Sequence, residues 1–385
     1  MIYWRLSTFY LFYFAALGAL IPYWSLYLQS LGFGPVAIGE LVAIMMATRI
    51  VAPNLWGWLA DHTGRRMTVV RIASLLAWVA FCGVLLGRGF WWLAVVVAVF
   101  SFFWNGALPQ LEATTLNHLG ARAHGYGRIR VWGSVGFVLS VSGLGFLFQH
   151  RSPALLVPVA LALLVAIWLA SLRVPERFRA APEAIGRPLL AVVRRPEVAT
   201  LLLVCLLMQL SHGPYYAFFT LYLEHHGYSG GMIGLLWALG VVAEIGVFLI
   251  MPRALPRFAP RTLLLASLAL AALRWLLIGA FPDHLGVIVF AQSLHAASFG
   301  VYHSVAIDLV HRHFTGRLQG RGQALYSSVS FGAGASLGSL ASGYLWVGVG
   351  PSATYYAAAA VAALAWLVAW RGLPAAASPA ASPAA

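Results

Sequence analysis

Gly18-Ala-Leu-Ile-Pro-Tyr-Trp-Ser-Leu-Tyr-Leu-Gln-Ser-Leu-Gly32 returns in altered form 195 positions later, as Gly213-Pro-Tyr-Tyr-Ala-Phe-Phe-Thr-Leu-Tyr-Leu-Glu-His-His-Gly227. The register continues without a gap, with Ile38-Gly39 over Ile233-Gly234 and Arg49-Ile50 over Glu244-Ile245. The offset shortens to 193 where Ala73-Ser-Leu75 meets Ala266-Ser-Leu268, and it holds there to Gly127-Arg128 over Gly320-Arg321. A chain that repeats itself once over this distance is built as two like halves.

Composition says what solvent those halves live in. Of 385 residues, 61% are hydrophobic and only 9% charged, which lies far outside soluble usage. Apolar runs long enough to cross ~30 Å of hydrocarbon as helices fall near residues 8–28, 36–58, 68–87, 90–118, 130–149, 153–172, 198–222, 232–250, 262–280, 286–310, 323–347 and 352–370. The first is too long for a cleavable signal and reads as the first span. Six spans per half is an even number, so both copies point the same way and their repeat axis lies along the membrane normal. The expected fold class is an all-α membrane protein of twelve transmembrane helices, in two six-helix halves related as a parallel repeat. The halves are expected at residues 1–172 and 198–372, joined by a cytoplasmic linker, 173–197, and followed by a disordered Ala/Ser/Pro tail, 373–385.

The formal charge of +14 comes from 24 basic residues, every one an arginine. Alternate connections and helix ends collect Arg5, Arg65, Arg66, Arg71, Arg122, Arg128, Arg130, Arg173, Arg177, Arg179, Arg187, Arg194, Arg195, Arg253, Arg257, Arg261, Arg312, Arg317, Arg321 and Arg371, whereas only Arg88 and Arg151 fall in the intervening loops. This asymmetry places both termini in the cytoplasm. The basic balance therefore reports topology and argues against a nucleic-acid partner. Cys82 and Cys205 both fall within spans, so no disulfide framework is implied.

Charges inside spans demand a reason, because each costs at least ~2.5 kcal/mol near mid-membrane. Arg49, Glu112, Arg130, Glu244 and Arg274 are of this kind, with Glu40 and Asp308 nearer helix ends and the titratable His212, His295 and His303. Glu112 and Arg130 sit about equally far from the turn joining two antiparallel spans, so they can face each other, to grip a substrate or simply to pair. Arg49 and Glu244 occupy equivalent repeat positions, which makes an ion pair between the halves an alternative for them. Glu244 is the first candidate for proton coupling, as a mid-span carboxylate that can cycle between protonated and ionised forms. Neither an H-E-x-x-H nor a P-loop is present, and no catalytic residues, metal site or cofactor are expected.

Between the second and third runs stands Gly57-Trp-Leu-Ala-Asp61-His-Thr-Gly64-Arg65-Arg66. It resembles the G-x-L-A-D-x-x-G-R-[RK] signature of the major facilitator superfamily, in which this loop helps to lock one conformation of the transport cycle. The resemblance implies a conformational role for Gly57, Asp61, Gly64, Arg65 and Arg66. The counterpart loop, Pro252 to Arg261, lacks the Asp and Gly, which implies a one-sided latch.

Pro109-Gln-Leu-Glu112 and Tyr126-Gly-Arg128-Ile-Arg130-Val-Trp-Gly133 resemble the lactose permease group, which implies substrate contacts at Glu112 and Arg130. Leu263 to Arg274 and Leu294-His295 resemble that group's coupling arginine and histidine. The expected carboxylate is however Ser298, and the expected lysine is Gln292. A nearer resemblance is to the 3-phenylpropionic acid permease branch, carried by Ser211-His-Gly-Pro-Tyr-Tyr216, Gly240-Val-Val-Ala-Glu-Ile245, His295-Ala-Ala-Ser-Phe with His303, and Gly127 to Ser134.

The resemblance implies alternating access by two rocking halves in a bacterial inner membrane. It implies proton symport of a small organic anion such as an aromatic carboxylate, with a neutral sugar and then drug efflux as alternatives. Expected substrate contacts are Glu112, Arg130, Arg274, Trp132, Tyr215 and Tyr216; expected coupling groups are Glu244, His295, His303 and Asp308. The expected partners are the small-molecule substrate, protons and the lipid bilayer, with the protein acting as a monomer.

Overall fold

A backbone immersed in hydrocarbon must pair its polar groups within itself, and this chain does so with helices; no strand occurs among the described residues. The computed structural model describes residues 2–120, 125–177, 189–316 and 318–374. Much of the expected linker, residues 178–188, and the tail from 375 lie outside them.

Among the described residues, eleven helices are long and apolar enough to cross a membrane. They are α1 (Ile2–Ser30), α2 (Pro35–Thr63), α3 (Arg66–Leu85), α4 (Phe90–Leu119), α5 (Tyr126–Phe148), α6 (Pro153–Arg173), α7 (Pro196–His225), α8 (Gly230–Ala254), α9 (Pro260–Ala280), α10 (Leu285–His313) and α12 (Pro351–Gly372). The twelfth, α11, runs over 318–348 as two α-helical pieces joined by a π-turn, Ser328–Gly334. Its Ser and Gly dilute its hydropathy, because this helix buries small polar residues against neighbours rather than presenting aliphatic ones to lipid.

The packing repeats as the sequence does. In the first half α1 packs on α5 and α6, α3 on α4 and α6, and α2 on α4. In the second, α7 packs on α11 and α12, α9 on α10 and α12, and α8 on α10. Between halves, α2 meets α11, α5 meets α8, and α1 meets α7. Adding six to α2 and subtracting six from α11 converts the first of these seams into the second, as a twofold repeat requires.

Small residues let the halves close. A Cβ on Gly39 would lie 2.9 Å from Gly343 Cα, and one on Gly145 would lie 2.5 Å from Gly230 O and 2.8 Å from Tyr23 Oη. Four hydrogen bonds join the halves among the described residues, all along α2 and α11: Tyr344 to Glu40, Ser336 to Ala43 O, Ser328 to Ile50 O, and Asn54 to Ser328. Since α2 starts at the face opposite the termini, these bonds run from that face over most of the helix length, as far as Asn54. Gly145→Leu should prise the α5–α8 seam open: the variant is expected to melt at lower temperature, by about 1 to 3 kcal/mol of overpacking, and to lose transport. A variant with the parent melting temperature and transport would contradict the seam.

The loop after α2 is shaped by its glycine. Gly64 ends α2 with φ 65°, in the left-handed region that glycine adopts without penalty. Asp61 then pairs with Arg66, whose Nη1 also donates to Gln110 Oε1 at 2.8 Å. α3 has no cap of its own at Arg65; the carboxylate of Glu176 accepts from Met67 N at 2.9 and 3.2 Å instead.

Candidate functional site

Two charge clusters lie within the membrane-spanning helices, one in each half. In the first, Glu112 on α4 accepts a hydrogen bond from Tyr126 Oη at 3.2 Å. Arg130, one turn along α5 from Tyr126, lays its guanidinium over Phe14, 3.8 Å from the ring centroid, with Tyr10 at 5.9 Å. The expected facing of Glu112 and Arg130 is thus not a contact: no hydrogen bond or ion pair of Arg130 occurs among the described residues. The first turn of α5 interposes Tyr126, and the aromatic face of α1 takes the cation.

In the second half Arg274 is wholly buried. Its Nη2 donates to Gln292 Oε1 at 2.8 Å, and its Nη1 to His295 Nδ1 at 2.9 Å and Ser298 Oγ at 3.4 Å. The guanidinium also lies 4.3 Å from the Tyr215 ring and 4.5 Å from Trp275. Ser298 and Gln292, the two departures from the lactose permease pattern, therefore supply neutral partners to this cation.

Arginine has only donors, so His295 Nδ1 must accept and the neutral imidazole must carry its proton on Nε2. That nitrogen faces Glu244 Oε2 at 3.6 Å. His295 thus stands between Glu244 and Arg274 and joins them in a line. Gln292 extends the line, donating to Tyr215 Oη at 3.3 Å and Leu236 O at 2.9 Å.

Other expected residues lie apart. His303 Nδ1 bonds Tyr326 Oη at 2.9 Å, and its ring continues a ladder with Phe299 and His295, centroids 5.8 and 5.3 Å apart. The π-turn Ala296–Val301 lies within that ladder. Tyr216, half-buried, donates to Gln209 Oε1 at 3.2 Å. Asp308 pairs with Arg312 at 2.8 Å, one turn along the same helix, and is not brought to Glu244. Trp132 is not brought to the charged residues either: its Nε1 donates to Tyr3 Oη at 2.9 Å and its ring lies on the exposed Trp4 at 5.4 Å. The alternative pairing of Arg49 with Glu244 is not formed, because Arg49 Nε donates to Asn105 Oδ1 at 3.2 Å. Gly334-Ala-Ser336-Leu-Gly338 matches a hydrolase G-x-S-x-G by letter, but Ser336 lies inside α11 and bonds Ala43 O, with no strand-to-helix elbow.

Sequence reasoning missed Phe14, Tyr10 and Asn105. Nothing marks one aromatic among many on an apolar helix. The asparagine carried a signal, being an amide within an apolar run.

The balance of charge is the chemical result. Three guanidiniums, those of Arg49, Arg130 and Arg274, answer to two carboxylates, those of Glu112 and Glu244. Arg130 is the cation left with no hydrogen-bond acceptor among the described residues. A half-buried fork of donors in that state can take a carboxylate bidentately.

Residues 3–357 match the family described as MFS_1 like. The chain is 29% identical over 345 residues to a protein of Escherichia coli (strain K12) named "Probable 3-phenylpropionic acid transporter", spanning 88% of this chain and 89% of that one. It is 31% identical over 351 residues to the maltose permease of Geobacillus stearothermophilus, spanning 89% and 88%. The crystal structure of the nucleoside transporter NupG superimposes with a TM-score of 0.83 at 15% identity, covering 96% of this chain and 98% of that one.

Proposed function

This chain belongs to the MFS_1 like family, multi-pass membrane transporters rather than enzymes, and we propose that it carries a small organic monoanion, an aromatic carboxylate, by proton symport. The observation that carries the reading is the surplus cation: Arg130 has no hydrogen-bond acceptor among the described residues, and across the two halves three intramembrane guanidiniums face two carboxylates. A monoanion is drawn to that free cation, the more strongly when a neighbouring carboxylate is protonated. The similarity to a protein named for 3-phenylpropionic acid supports the aromatic half of the reading, as do the rings of Phe14 and Tyr10 beside the cation.

Glu244 and His295 are the coupling pair in this reading. Protonating Glu244 adds one positive charge and draws the anion; losing that proton on the other side releases it. The halves, residues 1–172 and 198–372, rock about the site with the termini in the cytoplasm of a bacterium, and the present state is closed at the outer face.

A second reading, a neutral sugar, is favoured by the 31% identity to a maltose permease. A thermal-shift screen of the purified protein separates the two. A ligand at a hundred times its Kd stabilises by about 2.7 kcal/mol, so 3-phenylpropionate should raise the melting temperature and maltose should not. A shift with maltose alone would overturn the anion reading. Trp132→Phe and Asp308→Asn, which alter residues outside the two clusters, are expected to keep transport within about twofold of the parent, as surface changes cost about 0.5 kcal/mol or less; a tenfold loss in either would return that residue to the site.

A further inference from the structure

We infer that Phe14 is the positioning residue that fixes the plane of the Arg130 guanidinium, so that its fork of donors meets a carboxylate edge-on; this rests on the reading of Arg130 as the anion's anchor. A guanidinium is planar, and its N–H donors lie in that plane. The guanidinium carbon sits 3.8 Å from the Phe14 centroid, as close as atoms in van der Waals contact. At that distance the ring occupies one face of the cation by cation–π attraction. The donors, left at the rim, have no partner among the described residues.

Two glycines on α5 make this arrangement possible. A Cβ on Gly133 would lie 2.7 Å from both Arg130 Nη1 and Phe14 Cδ2, so any larger residue at that turn would displace the stack. A Cβ on Gly136 would lie 2.0 Å from Leu11 O, so the same face of α5 brings the α1 backbone in close. Phe14 follows Leu11 by one turn of α1, which sets its ring beneath the guanidinium. Tyr10 and Tyr126 add a second wall, edge to face at 6.4 Å, and Tyr126 holds Glu112 back from the cation. Unbonded and flexible, an arginine fork would sample many planes; the ring restricts it to the one that presents two parallel donors.

The test uses the full-length protein in lipid discs as parent, Phe14→Leu, Phe14→Tyr, Arg130→Lys and the Phe14→Leu/Arg130→Lys double variant. Peptide-resolved labelling by phenylglyoxal reports Arg130 without reference to substrate. Labelling at Arg130 should rise several-fold in Phe14→Leu and stay at the parent rate in Phe14→Tyr; an unchanged rate in Phe14→Leu overturns the inference. Binding of 3-phenylpropionate should weaken about tenfold in Phe14→Leu, the order of one desolvated cation–π contact, and recover in Phe14→Tyr. In the Arg130→Lys background the same loss of the ring should cost less than about twofold, because the fork it orients is gone. Equal penalties in both backgrounds would make Phe14 an ordinary packing residue. Failure of the parent to bind 3-phenylpropionate would sink the substrate reading, and the labelling rates would still decide the role of Phe14.

Discussion

Arg130→Ala is expected to abolish uptake of the anion while leaving folded protein in the membrane. The geometry separates these two effects. Arg130 makes no hydrogen bond or ion pair among the described residues, only the contacts with Phe14 and Tyr10. Truncating it therefore orphans no buried partner, and its removal takes a charge out of the membrane. Loss of a charged partner to a buried anion costs about 2 to 5 kcal/mol, a factor of roughly 30 to several thousand. Arg274→Ala would be a poor substitute for this experiment. Arg274 is wholly buried and engages Gln292, His295 and Ser298 at once, so its loss would strand three polar groups and unfold what it was meant to test. Uptake by Arg130→Ala at the parent rate, with normal amounts of protein in the membrane, would remove Arg130 from the site.

Glu244→Gln is expected to separate coupling from carriage. Glutamine keeps the size of the side chain and stays neutral, so it imitates the protonated carboxyl in every step. The contact with His295 Nε2, 3.6 Å in the parent, survives as an amide contact. A carrier fixed in the protonated form binds the anion and can exchange it across the membrane, but it cannot give up the proton that couples net movement to the gradient. Accumulation should fall to simple equilibration, about one to one, while exchange of labelled for unlabelled anion continues. If Glu244→Gln accumulates substrate like the parent, Glu244 carries no proton and the coupling must lie elsewhere.

Much of the fold was legible because its cause is written residue by residue. Hydrocarbon selects long apolar runs, so the expected span 90–118 and the helix Phe90–Leu119 nearly coincide. The helices often outrun the apolar stretch, as Ile2–Ser30 outruns 8–28, since backbone pairing continues into the interface where polar side chains are tolerated. The 195-residue offset anticipated a packing pattern whose principal helix pairs recur in both halves. The span 323–347 was read as an apolar run, and the helix 318–348 contains it although its small polar residues, which serve the seam with α2, lower its hydropathy.

The site was legible in its members and not in its bonds. Position along a helix located Glu112 and Arg130 near one depth, but rotamer and neighbour decide contact, and Tyr126 and Phe14 claimed the two charges. Repeat symmetry aligned Arg49 with Glu244, yet equivalence in sequence is not proximity: Asn105, one helix away, holds Arg49. The line from Glu244 through His295 to Arg274 lies on three different helices. No local pattern in the chain could have joined it.

The central claim is that a proton gradient drives the anion through this protein by way of Glu244. The most direct measurement is accumulation of labelled 3-phenylpropionate in proteoliposomes under an imposed inward proton gradient, with Glu244→Gln vesicles correcting for acid that crosses the lipid unaided. The account predicts accumulation above the Glu244→Gln level that collapses when a protonophore is added. Accumulation equal in the two sets of vesicles, or undiminished by the protonophore, would contradict it.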